Sequence, residues 1–170
     1  SEAFLGPVDY DHVKQVITDL MQLSQSQEEL TLVIQSQGGV TDAGFGLAQF
    51  IEQELEGRVT ARVWGECSSA ATYPLLCCDR RIAHPQATFV LHRQTTGLEI
   101  EYTDDFEEKL AQWRRQNEAT HQRQIDFYAQ KLGLKPKQVE EILQKGMGID
   151  ADMTAKQAKE LGIITKIVRF

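Results

Sequence analysis

Hydrophobic and polar positions along this chain follow two different periods. Leu30–Gln35 (LTLVIQ) and Val59–Trp64 (VTARVW) are compact, β-rich runs, the second strictly alternating as a half-buried strand should. Between them Gly44, Leu47, Ala48, Ile51 and Leu55 recur at helical spacing and predict a helix over about Asp42–Leu55, ended by Gly57. Strand, helix and strand at this spacing predict a right-handed βαβ unit and therefore a parallel sheet. Upstream, Ala3–Val8 reads as a short strand closed by Gly6-Pro7. Asp11 is placed to cap a helix with apolar positions Val13, Val16, Ile17 and Leu20, which the glutamines and serines around Gln22–Gln27 end. Downstream come a turn at Gly65–Ser69, an apolar helix to about Cys78, and short strands at Arg80–Ala83 and Thr88–Leu91 separated by Pro85.

After His92 the pattern changes. Asp104–Lys131 predicts one long, strongly charged helix, with Asp104 and Glu107 spaced as a capping box and Gly133 beyond its end. Phe106, Leu110 and Trp113 form a narrow stripe, with Ile125, Phe127, Tyr128 and Leu132 towards the far end. So little apolar face predicts a helix that projects from the globule. Pro136 opens a further helix that Gly146 closes. Thr154 with Gln157 predicts a capping box on a helix to Leu161, and Gly162-Ile163-Ile164 leads into a last strand. The expectation is one α/β domain spanning residues 1–170.

Composition narrows the function classes. A net charge of −7 would repel a nucleic-acid backbone, so no nucleic-acid partner is expected. The apolar runs are too short to span a bilayer, so no membrane partner is expected either. Cys67, Cys77 and Cys78 are odd in number and lack the spacing of a zinc site. They predict buried, reduced thiols, and with them a cytoplasmic location.

Candidate chemistry concentrates between Gly65 and His92. A serine hydroxyl needs a base within hydrogen-bond reach and that base must itself be oriented. Two serines at a strand-to-helix turn, followed by a strand ending in histidine, suggest such a set, and the unpaired N–H groups of the helix start could stabilise an oxyanion. Ser68 reads as a helix cap. His12, His84 and His121 read as ordinary surface residues, and Asp150 by itself as a turn residue. Gly38-Gly39, directly after a strand, allow close approach to a ligand.

Four segments then resemble the ClpP-type serine peptidases, whose subunits have the ββα-spiral fold of the crotonase clan. Ser36-Gln37-Gly38-Gly39-Val40 resembles the family's Ser-Pro-Gly-Gly-Val loop, and Gly65-Glu66-Cys67-Ser68-Ser69 its Gly-x-Ala-Ala-Ser nucleophile turn. Thr88-Phe89-Val90-Leu91-His92 resembles the strand that delivers the histidine. Asp150-Ala151-Asp152-Met153-Thr154-Ala155, with Ala158 and Gly162, resembles the segment carrying the aspartate. The resemblance implies a triad of Ser69, His92 and Asp150, with Asp152 as the fallback. It implies an oxyanion hole from the N–H groups of Gly39 and Ala70, and neither metal nor cofactor. It further implies a handle helix at about 104–132, peptide or unfolded-protein substrates, a homo-oligomeric ring that can stack, and an AAA+ unfoldase as a candidate partner. The sequence departs from the pattern at Gln37, at Ala70-Ala71 in place of Met-Gly, and at Gly148-Ile149 in place of the family's Asp-Arg pair. Two other readings stay open: a non-catalytic ring subunit or scaffold, and a crotonase-clan acyl-CoA enzyme.

Overall fold

The computed structural model describes residues 1–26 and 28–169; Gln27, in the stretch expected to end the first helix, lies outside the described residues. The chain divides into two compact units, Ser1–Leu91 with Ile149–Phe170, and His92–Gly148.

The first unit is built on a mostly parallel sheet. Strands β1 (Glu2–Leu5), β2 (Leu30–Ser36), β3 (Val59–Ser68), β4 (Arg80–Ala83) and β7 (Lys166–Ile167) lie side by side in that order. Strand β5 (Thr88–Val90) continues along the far half of β3, from Glu66 to Ser68, where β4 has ended. The two-residue β6 (Met153–Thr154) pairs antiparallel with β5. One sheet face is apolar throughout: Ala3 and Leu5, Leu30, Leu32 and Ile34, Val59, Ala61, Val63 and Cys67 are all buried. Against it pack helices whose inward stripes match the expected spacing, with Val13, Val16 and Leu20 from α1 (Tyr10–Leu23) and Leu47, Ala48 and Ile51 from α2 (Thr41–Glu54). Tyr73 of α3 (Thr72–Leu76) stacks on Phe45 of α2 with ring centroids 4.0 Å apart. The parallel pairing of β2 with β3 across α2 is the predicted βαβ unit.

The other sheet face carries Glu2, Phe4, Thr31, Val33, Thr60, Arg62 and Trp64, of which Val33 alone is buried. Phe4 is 60% and Trp64 55% exposed.

Two local expectations are corrected. The cap of α1 is Asp9, not Asp11: the chain is still extended at Asp9, whose carboxylate accepts the His12 N–H at 2.7 Å, and Asp11 falls inside the first turn. Strand β3 also runs four residues beyond Trp64, through the expected turn. Ile34 lies opposite Val63 but Ser36 opposite Cys67, so β3 spends three residues where β2 spends one.

The second unit holds α4 (Phe106–Leu132) and α5 (Pro136–Lys145). Gln124, Ile125 and Tyr128 of α4 and Val139 and Leu143 of α5 are its buried positions, so the narrow apolar stripe is used only towards the far end of α4. The expected Asp104 capping box does not form. The chain turns through a Phe106 N–H to Thr103 carbonyl bond, and Asp105 occupies the cap position, its carboxylate accepting the Thr103 hydroxyl. Gly133 ends α4 in the left-handed conformation as predicted. In the first unit, the Thr154–Gln157 box opens α6 (Ala155–Glu160), also as predicted. Among the described residues no helix is long and apolar enough to cross a membrane.

The end of the sheet depends on one half-buried arginine. The Arg81 guanidinium donates to the carbonyls of Ile163 (2.9 Å), Cys78 (2.9 Å) and Gly162 (3.0 Å), tying the chain that enters β7 to β4. Arg81→Met leaves three carbonyls without that donor and is expected to cost about 2–4 kcal/mol of unfolding free energy, measured as a lower urea midpoint. The cysteines give a second test. Burial, then neighbouring thiol charge, pushes Cys67 above the ordinary thiol range, and burial does the same for Cys78, whereas Cys77 is half-buried. Both buried thiols hold their protons in the folded state while an unfolded chain ionises near 9.0, so these two groups favour folding less as pH rises past that value. At pH 9 iodoacetamide is expected to modify Cys77 first in folded protein, and all three once the chain is unfolded, as mapped by peptide mass spectrometry.

Candidate active site

The turn at the end of β3 is a strained point of the backbone. Ser68 is extended, and Ser69 then adopts φ 57°, the only positive φ outside glycine among the described residues. A non-glycine residue held there needs surrounding structure to fix it. Here a 3₁₀ turn, Ser69–Ala71, runs directly into α3, and the Thr72 hydroxyl donates to the Ser69 carbonyl at 2.7 Å. Ala70 and Ala71 are buried, and their small side chains let the turn sit tight on the core. The two serines part company at this corner. Ser68 is buried and its hydroxyl donates to the Glu66 carboxylate at 3.0 Å, so it occupies the cap position without capping, contrary to expectation. Ser69 is half-buried at the apex.

The glycine loop after β2 lies against this corner. Gly38 has φ 97°, and a Cβ there would come within 2.7 Å of the Ser68 carbonyl and of Ser69 Cβ, and 3.1 Å of the Ala70 nitrogen. Only glycine allows that contact. Next to it, Val8 donates to the Gly38 carbonyl at 3.0 Å and accepts from Val40 N–H at 2.6 Å, the pattern of a parallel bridge centred on Gly39. In such a bridge the central residue turns its own N–H away from the partner strand. The Gly39 N–H therefore points away from Val8, to the side where β3 ends. Ala70 supplies a second unspent donor, since the first N–H groups of a helical turn have no partner within it.

His92 begins the second unit and is half-buried. Its Nδ1 is 2.6 Å from the Arg93 carbonyl. A carbonyl only accepts, so Nδ1 is the donor in this contact. Gln124, buried in α4, holds the flanking backbone, accepting from Gln94 N–H at 3.2 Å and donating to the His92 carbonyl at 3.5 Å. Asp150 and Asp152 belong to the first unit, exposed in the turn that precedes β6. The structure thus brings together Ser69, Ala70, Gly38 and Gly39. His92 is described with its own unit. The other histidines are more engaged than surface residues: His12 accepts Gly6 N–H at 2.9 Å, His84 accepts Gln86 N–H, and His121 contacts Arg93. Among the described residues no group of three or more His, Cys, Asp or Glu side chains could hold a metal ion.

Sequence reasoning missed Gln124 and Glu66. A lone glutamine in a long polar helix carries no periodic signal. The Glu66–Ser68 pair, two residues apart on one strand face, was legible in principle from strand alternation.

The sequence matches the model of the Clp protease family over residues 3–170. The chain is 30% identical to the ATP-dependent Clp protease proteolytic subunit 1 of Chlamydia caviae, over 87% of this chain and 74% of that protein. It is also 30% identical to the subunit of that name from Chlamydia muridarum, over 97% and 84%. The Protochlamydia amoebophila subunit 1 is 26% identical over 95% and 76%. With a strained serine corner facing a glycine loop, on an α/β fold of the ClpP type, this chain belongs to the Clp protease family of serine peptidases.

Proposed function

We propose that residues 1–170 form one peptidase domain that hydrolyses peptide bonds in short peptides or unfolded proteins, with Ser69 as nucleophile, His92 as base and Asp150 as the orienting acid. The observation that carries this reading is the left-handed Ser69 corner packed on Gly38-Gly39. Strain at a strand-to-helix corner is how a serine hydroxyl is presented clear of its own helix. In the proposed reaction His92 Nε2 takes the Ser69 proton as the hydroxyl attacks the carbonyl, and the tetrahedral oxyanion is held by the Gly39 and Ala70 N–H groups. The proton then passes to the leaving amine, and water repeats the sequence on the acyl-enzyme.

Motif order supports Asp150 over Asp152 as the third member, because Asp150 opens the segment that resembles the family's aspartate-bearing one. In this reading Asp150 is the orienting acid because a carboxylate, unlike a carbonyl, also stabilises the imidazolium.

The uncovered sheet face supports assembly. A parallel sheet that leaves Phe4 and Trp64 exposed on one face calls for another surface to cover them. Members of the family form rings and work with Clp ATPases, and we assign this chain to a homo-oligomeric ring in the cytoplasm, served by an AAA+ unfoldase, with the serines facing an enclosed chamber.

A fluorophosphonate probe is expected to label Ser69 in the wild type, and neither Ser69→Ala nor His92→Ala at that position. A folded, assembled protein that is not labelled overturns the nucleophile and favours a non-catalytic ring subunit. Asp150→Asn is expected to lower kcat by about three to four decades, and Asp152→Asn by less than about twofold. The reverse order would move the acid to Asp152.

A further inference from the structure

The register change in β3 has a specific holder. Opposite Gln35 of β2, strand β3 carries Trp64, Gly65 and Glu66. A ladder step supplies partners for one residue at that place, so the extra residues have N–H groups with no carbonyl opposite. Both are met by a side chain. Gln35 Oε1 accepts the Gly65 N–H at 2.8 Å and the Glu66 N–H at 3.0 Å. The approach is tight: a Cβ on Gly65 would lie 2.7 Å from Gln35 Oε1 and 2.9 Å from its Nε2. Glycine at 65 and a long amide at 35 are therefore two halves of one contact.

The geometry points to Gln35 as a positioning residue for the nucleophile. The inference rests on Ser69 being that nucleophile. The excess in β3 is two residues, an even number, so the side-chain alternation survives and Cys67 stays buried in phase with Val63. What changes is translation: Cys67 comes opposite Ser36, and the Ser69 corner comes against Gly38. Glu66, one of the two clamped residues, also accepts the Ser68 hydroxyl. The line from Gln35 to Ser69 is thus Gln35 Oε1, Glu66 N–H, Glu66 carboxylate, Ser68 hydroxyl and the next residue. Gln35 does not touch the reacting atoms in this scheme. It fixes how far along the sheet the hydroxyl is delivered relative to the glycine loop.

Gln35→Met keeps length and removes the acceptor, whereas Gln35→Glu keeps an acceptor oxygen. The expected result is that Gln35→Met labels with fluorophosphonate about tenfold more slowly and loses kcat in parallel, with KM within about twofold of wild type. Gln35→Glu is expected to recover most of both. Amide hydrogen exchange over residues 64–68 is expected to quicken in Gln35→Met and return towards the wild-type rate in Gln35→Glu, a readout that does not depend on catalysis. Wild-type labelling and kcat in a folded Gln35→Met protein overturn the inference, as does a loss of kcat without faster exchange at 64–68. Failure of the nucleophile reading is distinct, because it is seen as absence of Ser69 labelling in the wild type.

Discussion

The structure of the first unit depends on how two neighbouring parallel strands finish. Strand β2 ends in glycines and β3 in serines, and the two ends meet only because β3 gains two residues on its neighbour before they diverge. That gain leaves backbone donors to be satisfied, requires glycine at 65 and at 38 for close approach, and ends in a serine with φ 57°. Each feature is unfavourable or restrictive alone. Together they bring the Ser69 corner and the glycine loop into one place. The helices matter to this arrangement as ballast: α2 and α3 fill the apolar face so that the corner has a rigid floor, with Phe45 stacked on Tyr73 directly beneath the turn's continuation.

Most of the fold was legible because the sheet face and the helix stripes are governed by burial, which leaves a periodic trace. Leu30–Gln35, Asp42–Leu55 and Val59–Trp64 gave the βαβ unit within a residue or two of β2 and α2. Illegible features were those set by hydrogen bonds between side chain and backbone. Asp9 and Asp11 are both plausible caps by composition, and only the extended backbone at Asp9 decides between them. Asp104 with Glu107 fits a capping box in spacing, yet Thr103 and Asp105 take the turn instead. The extension of β3 was hidden for the same reason: Gly65 reads as a turn, and nothing periodic in the chain says that Gln35 will bridge it. The close approach of the Ser69 turn to Gly38-Gly39 left a trace in the glycines after the strand, while the orientation of Ser68 against Ser69 left none, because two adjacent serines differ only in the partners the fold gives them.

The chain carries a net charge of −7, and two of its exposed aromatics share one sheet face. Phe4 and Trp64 flank Val33 on the uncovered sheet face, and Arg62 pairs with Glu2 at 3.8 Å across the same face. An ion pair at the rim of an apolar strip contributes little to stability by itself. It links β1 and β3 across β2 on this face. The long helix, by contrast, spends its polar length on local contacts such as Lys109 with Asp105 and Gln122 with Asp126, and buries only Gln124, Ile125 and Tyr128.

Gln124 gives that helix a role beyond its own packing. A buried amide that both accepts from Gln94 N–H and donates to the His92 carbonyl fixes the chain on either side of Arg93. The Arg93 carbonyl is in turn the acceptor for His92 Nδ1. The imidazole ring is therefore oriented by the second unit's own backbone. A carbonyl can select the tautomer, but it carries no charge with which to stabilise an imidazolium. The Arg93 carbonyl thus orients the ring and supplies no charge of its own.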